Sequence, residues 1–289
     1  MTRGPVIILG MHRSGTSLIA RVLERLGLFA GRRKEHNHEA WLLLKLNDWL
    51  LAQCAARWDH PAPFDLLLDA PDVRARTARY LDDLLGSPRA ISYLGWRRWL
   101  RYRHPRRLPR PWGWKDPRTT FTLPLWRDVF PEARIIHVRR HGVDVAASLM
   151  TRRVDGFRAA CAKYDRFGRW YWLRPKDGGF ADSLRLHGLD DAFGLWEQYT
   201  DRAAEHTRAM GERAIELRYE DFLRDPAPHA GRLASFCGLD AGGRAVAEAV
   251  ADVRADRAFA FADDGDLAAF AGAVAGRLAA RGYAEIGGP

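Results

Sequence analysis

The N-terminal part of the chain places a glycine-bounded loop between a strand pattern and a helix pattern. Residues 6–9 form a short apolar run rich in β-branched side chains, which predicts a strand, and leucine and valine recur at helical spacing from Thr16 to about Gly27. The loop between them has glycines at positions 10 and 15. This succession favours an α/β fold.

The same succession returns further along the chain. Residues 134–138 and 214–218 predict two more strands, and a helix is predicted to follow the first of them at Gly142. Strands that alternate with helices indicate a parallel sheet. Other helices are predicted at residues 38–56, with Asn37 able to cap the start, and at residues 71–85, 190–210, 232–238 and 259–282.

The length of 289 residues lies near the upper size for one hydrophobic core, so we expect a single domain over residues 1–289. Two stretches interrupt the regular pattern and are expected to be insertions. Residues 88–112 are rich in arginine, proline and tryptophan and are expected to be irregular or partly helical. Residues 153–189 are polar, aromatic and glycine-containing, and residues 152–188 are expected to form a mobile loop.

Charge and cysteine content narrow the class of protein. The net charge of +10 favours polyanionic ligands, which include nucleic acid, anionic membranes and small phosphate or sulfate donors. Three cysteines without a Cys-x-x-Cys pair indicate neither a disulfide framework nor a zinc site. The first apolar run is too short for a signal peptide or a membrane span, and no later run reaches spanning length, so a cytoplasmic location is expected.

The loop from position 10 to position 17 has the spacing of a P-loop, with threonine at position 16 where a Walker motif has lysine. Backbone N–H groups at such a loop converge on a helix N-terminus and attract phosphate, and Arg13 can supply the cation that the missing lysine would give. The alternative is a tight strand-to-helix turn that uses its glycines for geometry alone.

The residues after the predicted strand at 134–138 indicate which kind of phosphate chemistry is possible. A nucleoside triphosphate enzyme would need an acidic residue there for magnesium, yet this strand ends in two arginines. Ser148 follows Arg140 by eight residues, and Arg152 lies four residues beyond on the same predicted helical face. Two guanidinium groups and a hydroxyl suit a second phosphate, although Arg152 could also be a solvated helix residue.

In combination these motifs resemble the sulfotransferase family. Four segments carry the resemblance: the 5′-phosphosulfate loop Arg13-Ser14-Gly15-Thr16-Ser17, the 3′-phosphate pair Arg140 and Ser148, the Lys-Asp-Pro segment Trp114-Lys115-Asp116-Pro117-Arg118, and Tyr219-Glu220-Asp221 after a strand. The last two are similar to the tyrosylprotein and bacterial branches. The chain departs from the common cytosolic branch by having Arg13 for lysine and no histidine base in a Lys-x-His segment.

The resemblance implies a P-loop-like three-layer fold, with a central parallel sheet flanked by helices, and a donor, 3′-phosphoadenosine 5′-phosphosulfate, without a metal. The implied reaction is in-line transfer of a sulfuryl group to a hydroxyl or amine. The implied donor-binding residues are Arg13, Ser14, Gly15, Thr16, Ser17, Arg140, Ser148, Arg152 and Tyr219.

Three residues are candidates for catalysis. Arg13 would neutralise the 5′-phosphate, and Lys115 would reach the bridging oxygen where negative charge develops. Glu39 would be the base, because the related branches have a glutamate at a similar distance past the loop. The neighbouring candidates for the base are Glu35, His36 and His38. Lys115 could instead be a surface lysine, and Glu39 could simply favour a first helical turn.

The acceptor is left open by the sequence. A small molecule, a carbohydrate, a lipid or a peptide would each be compatible, and we expect the helix after His38 and the insertions around Gly95 and Gly178 to determine the choice. Tryptophans and arginines at residues 95–118 could bind an acidic or sugar-like acceptor, bind nucleic acid, or form a solvated loop. No nucleic-acid-binding signature accompanies them, so a nucleic-acid partner is not expected. The oligomeric state cannot be inferred.

Two other functions compete with sulfuryl transfer. A P-loop kinase of small molecules is disfavoured by Thr16 and by the missing acidic residue after the predicted strand at 134–138. A non-catalytic nucleotide-binding module would bind the adenosine donor without turnover that depends on Glu39 and Lys115.

Overall fold

The computed structural model describes residues 4–173 and 179–283, and the chain divides into two compact units. The first unit comprises residues 1–140 and 199–258, and the second comprises residues 141–198 and 259–289. The single domain with two insertions that the sequence suggests stays a prediction.

The secondary structure alternates short strands with longer helices. The strands are β1 Val6–Leu9, β2 Gly113–Lys115, β3 Arg134–Arg139 and β4 Ala214–Arg218. The helices are α1 Thr16–Arg25, α2 Trp41–Ala52, α3 Asp65–Leu68, α4 Pro71–Gly86, α5 Ile91–Leu94, α6 Trp96–Tyr102, α7 Thr119–Val129, α8 Gly142–Phe167, α9 Leu189–Met210, α10 Tyr219–Arg224, α11 Pro226–Cys237, α12 Gly243–Val250, α13 Gly265–Ala273 and α14 Ala275–Ala279. Short 3₁₀ turns connect several of them.

Within the described residues, the four strands form one parallel sheet in the order β2-β1-β3-β4. Ile7 of β1 pairs with Trp114 of β2 on one side and with Ile135 of β3 on the other. The strand β2 was not predicted, because three residues are too few to show a strand pattern and they follow a proline-rich and arginine-rich stretch. The other three strands agree with the prediction.

Both faces of the sheet are covered by apolar side chains from helices. Alternate residues of β1 point to opposite faces, as they must in a strand. Ile7 belongs to a core shared with α2, α4 and α7. Ile8 belongs to a second core shared with α1, α11 and α12. The predicted α/β fold, a central parallel sheet flanked by helices in three layers, is therefore confirmed.

The second unit is built on α8, which is longer than predicted. Residues 152–167 were expected to belong to a mobile loop, and the structure corrects this by continuing the helix through Phe167. Where the first turn of α8 begins, the ring of His141 stacks on Phe261 at 4.4 Å. The carboxylate of Asp144 accepts a hydrogen bond from the Phe261 amide at 2.9 Å. Gly178, around which the chain is expected to help determine the choice of acceptor substrate, lies outside the described residues.

Other helix boundaries also differ from the prediction, and α11 begins at Pro226, before the predicted start at Arg232. The helix α2 begins at Trp41, and its capping position is Ala40 in place of Asn37, because residues 34–40 close into a tight loop through a bridge between Lys34 and Ala40. The helix predicted at residues 259–282 is broken into a 3₁₀ turn and the short helices α13 and α14. No helix in the described parts of the chain has both the length and the apolar character needed to cross a bilayer.

Candidate functional site

The carboxyl edge of the sheet collects most of the residues singled out from the sequence. Parallel strands end at the same edge, and ligands of open α/β sheets bind outside this edge. Each strand is followed or ended there by a candidate: β1 by the glycine loop, β2 by Lys115, β3 by Arg140 and β4 by Tyr219.

Two positions of the loop require glycine. Gly10 has φ 135°, and a Cβ atom there would lie 2.2 Å from the carbonyl oxygen of Val138 in β3. Gly15 has φ 89°, and a Cβ atom there would lie 2.2 Å from the ring of Tyr219. Both the backbone conformation and the close approach exclude a side chain. The two glycines therefore allow the loop to pack closely against β3 and Tyr219.

The loop presents unsatisfied donors at the start of α1. The hydroxyl of Ser14 is buried and has no hydrogen-bond partner among the residues that the structure describes. The amides of Gly15, Thr16 and Ser17 likewise donate to no acceptor in the described part of the chain. The N-terminus of a helix carries a partial positive charge, and a buried polar atom costs free energy unless it finds a partner. This loop fits a phosphate or sulfate group.

Arg140 lies beside the same loop. Its guanidinium group lies over the ring of Tyr219 at 5.0 Å and donates to the carbonyl oxygens of Arg257 at 2.9 Å and of Arg13 at 3.5 Å. Arg13 itself is exposed and has φ 71°, in the left-handed region that few residues other than glycine adopt. The Arg140 guanidinium group, the backbone of the loop and Tyr219 are thus brought together.

Ser148 and Arg152 belong to the second unit. They lie one turn apart on α8, as their four-residue spacing predicts, and both are half-buried. The guanidinium group of Arg152 forms an ion pair with Asp182, with Nη2 and Oδ2 2.5 Å apart. Their assignment to a phosphate continues to rest on their spacing from Arg140 in the sequence.

The structure pairs two of the three residues predicted for catalysis. The Lys115 Nζ atom donates to Glu39 Oε1 at 2.8 Å and to the carbonyl oxygen of Asn37 at 3.0 Å. The same carbonyl oxygen accepts a hydrogen bond from the hydroxyl of Ser17 at 2.9 Å. The end of β2, the segment before α2 and the glycine loop therefore meet at one point.

Burial sets the electrostatics of this pair. Lys115 is 3% exposed and Glu39 is 4% exposed, so neither charge is screened by bulk water. Burial lowers the pKa of the Lys115 ammonium below its ordinary value, and the nearby carboxylate of Glu39 opposes this shift by stabilising the charged form. Lys115 is not the surface lysine of the alternative interpretation.

The other candidates for the base lie in different surroundings. Glu35 and His36 are exposed. His38 is half-buried, and its Nδ1 atom lies 3.5 Å from Glu24 Oε2. Burial lowers the pKa of His38, and the charge of Glu24 opposes that shift. Among the four candidates, the structure places Glu39 against Lys115.

Sequence reasoning missed Asn47, which organises the back of the site. Its side-chain amide donates to Asp116 Oδ2 at 2.8 Å and to Thr119 Oγ1 at 2.9 Å. Its side-chain carbonyl accepts from Thr122 Oγ1 and Trp126 Nε1, both at 2.8 Å. Asn47 is fully buried, and an isolated asparagine within an apolar helix pattern is the signal that could have identified it.

A group of rings against the loop was also missed. His12 packs edge-on against Trp58 at 5.1 Å and against Tyr199 at 6.1 Å. The hydroxyl of Tyr199 donates to the carbonyl oxygen of Trp58 at 2.8 Å. These residues are far apart in sequence, so no local pattern could have grouped them. Their contacts hold the loop on the side of His12.

A groove of about 450 Å³ follows α2 from its first residue, two positions after Glu39. Its lining combines aliphatic and aromatic side chains, and its charged groups are basic. The lining comprises Trp41, Leu42, Lys45, Leu46, Trp49, Tyr80, Leu84, Pro88, Arg89 and Ser92. Both the helix after His38 and the insertion at residues 88–112 contribute, which are two of the regions expected to contact an acceptor.

Within residues 4–173 and 179–283, no three acidic, histidine or cysteine side chains lie close enough together to hold a metal ion. The expectation that no metal is needed stays a prediction.

Similar solved structures include the sulfotransferase STF9 from Mycobacterium avium, with 17% identity, a TM-score of 0.47, and coverage of 97% of this chain and 77% of that one. The sulfotransferase domain of the Synechococcus PCC 7002 olefin synthase has 18% identity and a TM-score of 0.44, with coverage of 86% and 78%. A search of curated proteins gave no significant match. A sequence model of the sulfotransferase family matches residues 5–242, well over half of the chain, and the chain therefore belongs to the sulfotransferase family.

Proposed function

We propose that this chain transfers a sulfuryl group from 3′-phosphoadenosine 5′-phosphosulfate to an acceptor hydroxyl or amine. The observation that carries the proposal is the buried ion pair between Lys115 and Glu39, joined through the Asn37 carbonyl to Ser17 of the glycine loop. A carboxylate and an ammonium group thus lie beside the glycine loop, which is an arrangement suited to group transfer.

The chain's own residues fit the donor. The unsatisfied hydroxyl of Ser14 and the amides of Gly15, Thr16 and Ser17 would hold the 5′-phosphate, with Arg13 neutralising its charge. Arg140 beside Tyr219 would contact the 3′-phosphate. Ser148 and Arg152 are assigned to the same phosphate from the eight-residue and four-residue spacings in the sequence. The donor supplies the activated sulfuryl group.

Lys115 and Glu39 have complementary roles in this proposal. Glu39 takes the proton from the acceptor hydroxyl or amine as the new bond to sulfur forms. Lys115 stabilises the negative charge that collects on the bridging oxygen as its bond to sulfur breaks. Their burial strengthens both effects, because electrostatic interactions are stronger when water is excluded. We propose an in-line displacement, in which the acceptor and the leaving oxygen lie on opposite sides of sulfur.

The groove along α2 supports a proposal for the acceptor. The polar side-chain atoms in its lining belong to lysine, arginine, serine, tyrosine and tryptophan, and no carboxylate or side-chain amide is among them. A carbohydrate, which presents many hydroxyl donors, would find few acceptors there. We therefore propose a small molecule with an apolar or aromatic body, which lies along the groove and presents its hydroxyl or amine toward Glu39.

Calorimetric titration with 3′-phosphoadenosine 5′-phosphate, without magnesium, tests the donor site. We expect micromolar affinity and a loss of about tenfold or more in Arg140→Ala, because one charge-assisted contact to phosphate is removed. Arg232→Ala, which removes an exposed arginine from α11, is the matched control for net charge and should change the affinity by less than about twofold.

The same titration with ATP and magnesium separates the competing functions. Binding of ATP-magnesium without binding of the bisphosphate would overturn the sulfotransferase proposal in favour of a kinase. Binding of the bisphosphate together with turnover that does not change in Glu39→Ala and Lys115→Ala would favour a non-catalytic nucleotide-binding module.

Cytoplasmic location stays a prediction.

A further inference from the structure

Apart from Pro88, Arg89 and Ser92, which line the groove, the arginine-rich and tryptophan-rich stretch before β2 is not used by the proposed reaction. From position 85 to position 113 the chain has eight arginines and no acidic residue. Among the carboxylates of the described residues, only Asp82 forms an ion pair with one of these arginines, Arg106. The stretch therefore keeps a high local positive charge, which favours an anionic partner.

The short helix α6 gives this stretch two different faces. Trp99 and Tyr102, three residues apart, pack against the core, and the Trp99 indole donates to the carbonyl oxygen of Ser87 at 2.9 Å. Another side of α6 carries Trp96 and Leu100, which are 60% and 50% exposed. Residues four apart on a helix are neighbours, so these two side chains form one apolar ridge.

Exposed arginines flank this ridge. Arg97 and Arg101 alternate with its two members along α6, and Arg103 follows the end of the helix, where its guanidinium group lies over the Trp99 ring at 4.4 Å. None of the three forms an ion pair with a carboxylate in the described part of the chain. We define the α6 surface as Trp96, Leu100, Arg97, Arg101 and Arg103.

We propose that the α6 surface docks the protein on an anionic lipid bilayer. A ridge of tryptophan and leucine between basic side chains is the pattern of interfacial helices, whose apolar residues enter the headgroup boundary while arginines contact lipid phosphates. Tryptophan prefers this interface because its ring is apolar and its N–H is polar. The inference does not depend on the proposed sulfuryl transfer.

The observations favour a bilayer over nucleic acid. Leu100 has no ring on which a base could stack, and the ridge projects from a helix, whereas single strands bind in grooves with aromatic platforms. Folding of α6 on the core also means that little conformational entropy is lost when the surface meets a membrane.

Co-sedimentation of the full chain with lipid vesicles tests the proposal. We expect binding to phosphatidylcholine vesicles with about one third phosphatidylglycerol to be at least roughly tenfold stronger than binding to phosphatidylcholine alone, and to weaken as salt is raised. The double variant Trp96→Ser/Leu100→Ser and the triple variant Arg97→Gln/Arg101→Gln/Arg103→Gln should each weaken it by about fivefold or more.

A matched variant controls for exposed apolar residues in general. Trp172→Ser/Leu173→Ser changes an equally exposed tryptophan and leucine in the second unit, and binding should not change. Trp96→Phe should keep binding but lose the quenching of tryptophan fluorescence by brominated lipids. Circular dichroism of each variant establishes that it is folded.

Three outcomes would overturn the proposal. The first is equal binding to neutral and anionic vesicles. The second is loss of binding in the control variant but not in the α6 variants. The third is binding of a short single-stranded RNA, weakened by the arginine variant, without binding to anionic vesicles.

Discussion

At the scale of single residues, the pair formed by Lys115 and Glu39 carries the chemistry that is proposed for the site. A buried lysine is stabilised in its charged form only by its partners, here Glu39 and the carbonyl oxygen of Asn37. Its burial lowers the pKa of the ammonium, so the charge required in the proposed transfer is lost at a lower pH than for a lysine in water.

The pH dependence of turnover should show this shift. We expect kcat to fall as pH rises through the pKa of Lys115, which lies below the ordinary value of 10.5, because only the protonated form stabilises the leaving oxygen. Lys115→Arg keeps its charge to a much higher pH, so the alkaline fall should disappear from whatever activity remains. The measurement is kcat across about pH 6 to 10.5 at saturating substrates.

Lys34→Arg is the matched control for this profile. Lys34 forms an ion pair with Glu24 and is only partly buried, so its replacement should leave the alkaline fall in place. An unchanged fall in Lys115→Arg would show that another group sets it and would remove Lys115 from the proposed role.

At the scale of elements, Asn47 ties α2 to the segment that follows β2. All four of its side-chain hydrogen bonds go to Asp116 or to residues of α7, and each partner is buried. Because α2 begins just after Glu39 and Asp116 follows Lys115, this network fixes the two elements that adjoin the proposed catalytic pair. Asn47 is thus a positioning residue.

Two asparagines allow a matched test of this role. Asn47→Ala should lower the free energy of unfolding by roughly 2–4 kcal/mol, because several buried polar groups lose their partners at once. Asn37→Ala should change it by less than about 0.5 kcal/mol, since Asn37 contributes its backbone carbonyl, which alanine retains. Urea unfolding of both variants at neutral pH is the measurement. Equal effects would contradict the distinction.

At the scale of the whole molecule, a buried histidine should affect stability in acid. His206 of α9 is 8% exposed, and its Nε2–H donates to the carbonyl oxygen of Thr120 at 2.8 Å. Burial lowers the pKa of His206 to about 4 from 6.5. Thr120 also accepts, through Oγ1, the amide hydrogen of Gly10 in the loop, so His206 and the loop share Thr120 as a hydrogen-bond partner.

The sign of the effect follows from proton binding. Between pH 6.5 and about 4 the unfolded chain binds a proton at His206 that the folded chain does not, so stability falls as pH falls through this range. The total loss from this group is roughly 3 kcal/mol. His206→Gln keeps an N–H donor but does not titrate, and should flatten this part of the curve of unfolding free energy against pH. Identical curves would contradict the assignment.

The amino-acid sequence by itself determined the features that depend on near neighbours in the chain. The strand, glycine loop and helix at residues 6–25, the strands β3 and β4, and the spacing of Arg140, Ser148 and Arg152 follow from local patterns. Helix ends were less predictable: α2 starts three residues late because a loop closes before it, and α8 continues past Arg152.

Only the tertiary structure decided which residues share the site. Glu39 and Lys115 are 76 positions apart, and their pairing depends on the short strand β2, which pairs with β1 although its own three residues carry no strand pattern. The tertiary structure also distinguishes Glu39 from Glu35, because Glu39 is buried and Glu35 is exposed. Periodicity reports which side of an element is apolar, whereas burial and pairing of polar groups depend on elements that meet across the sheet.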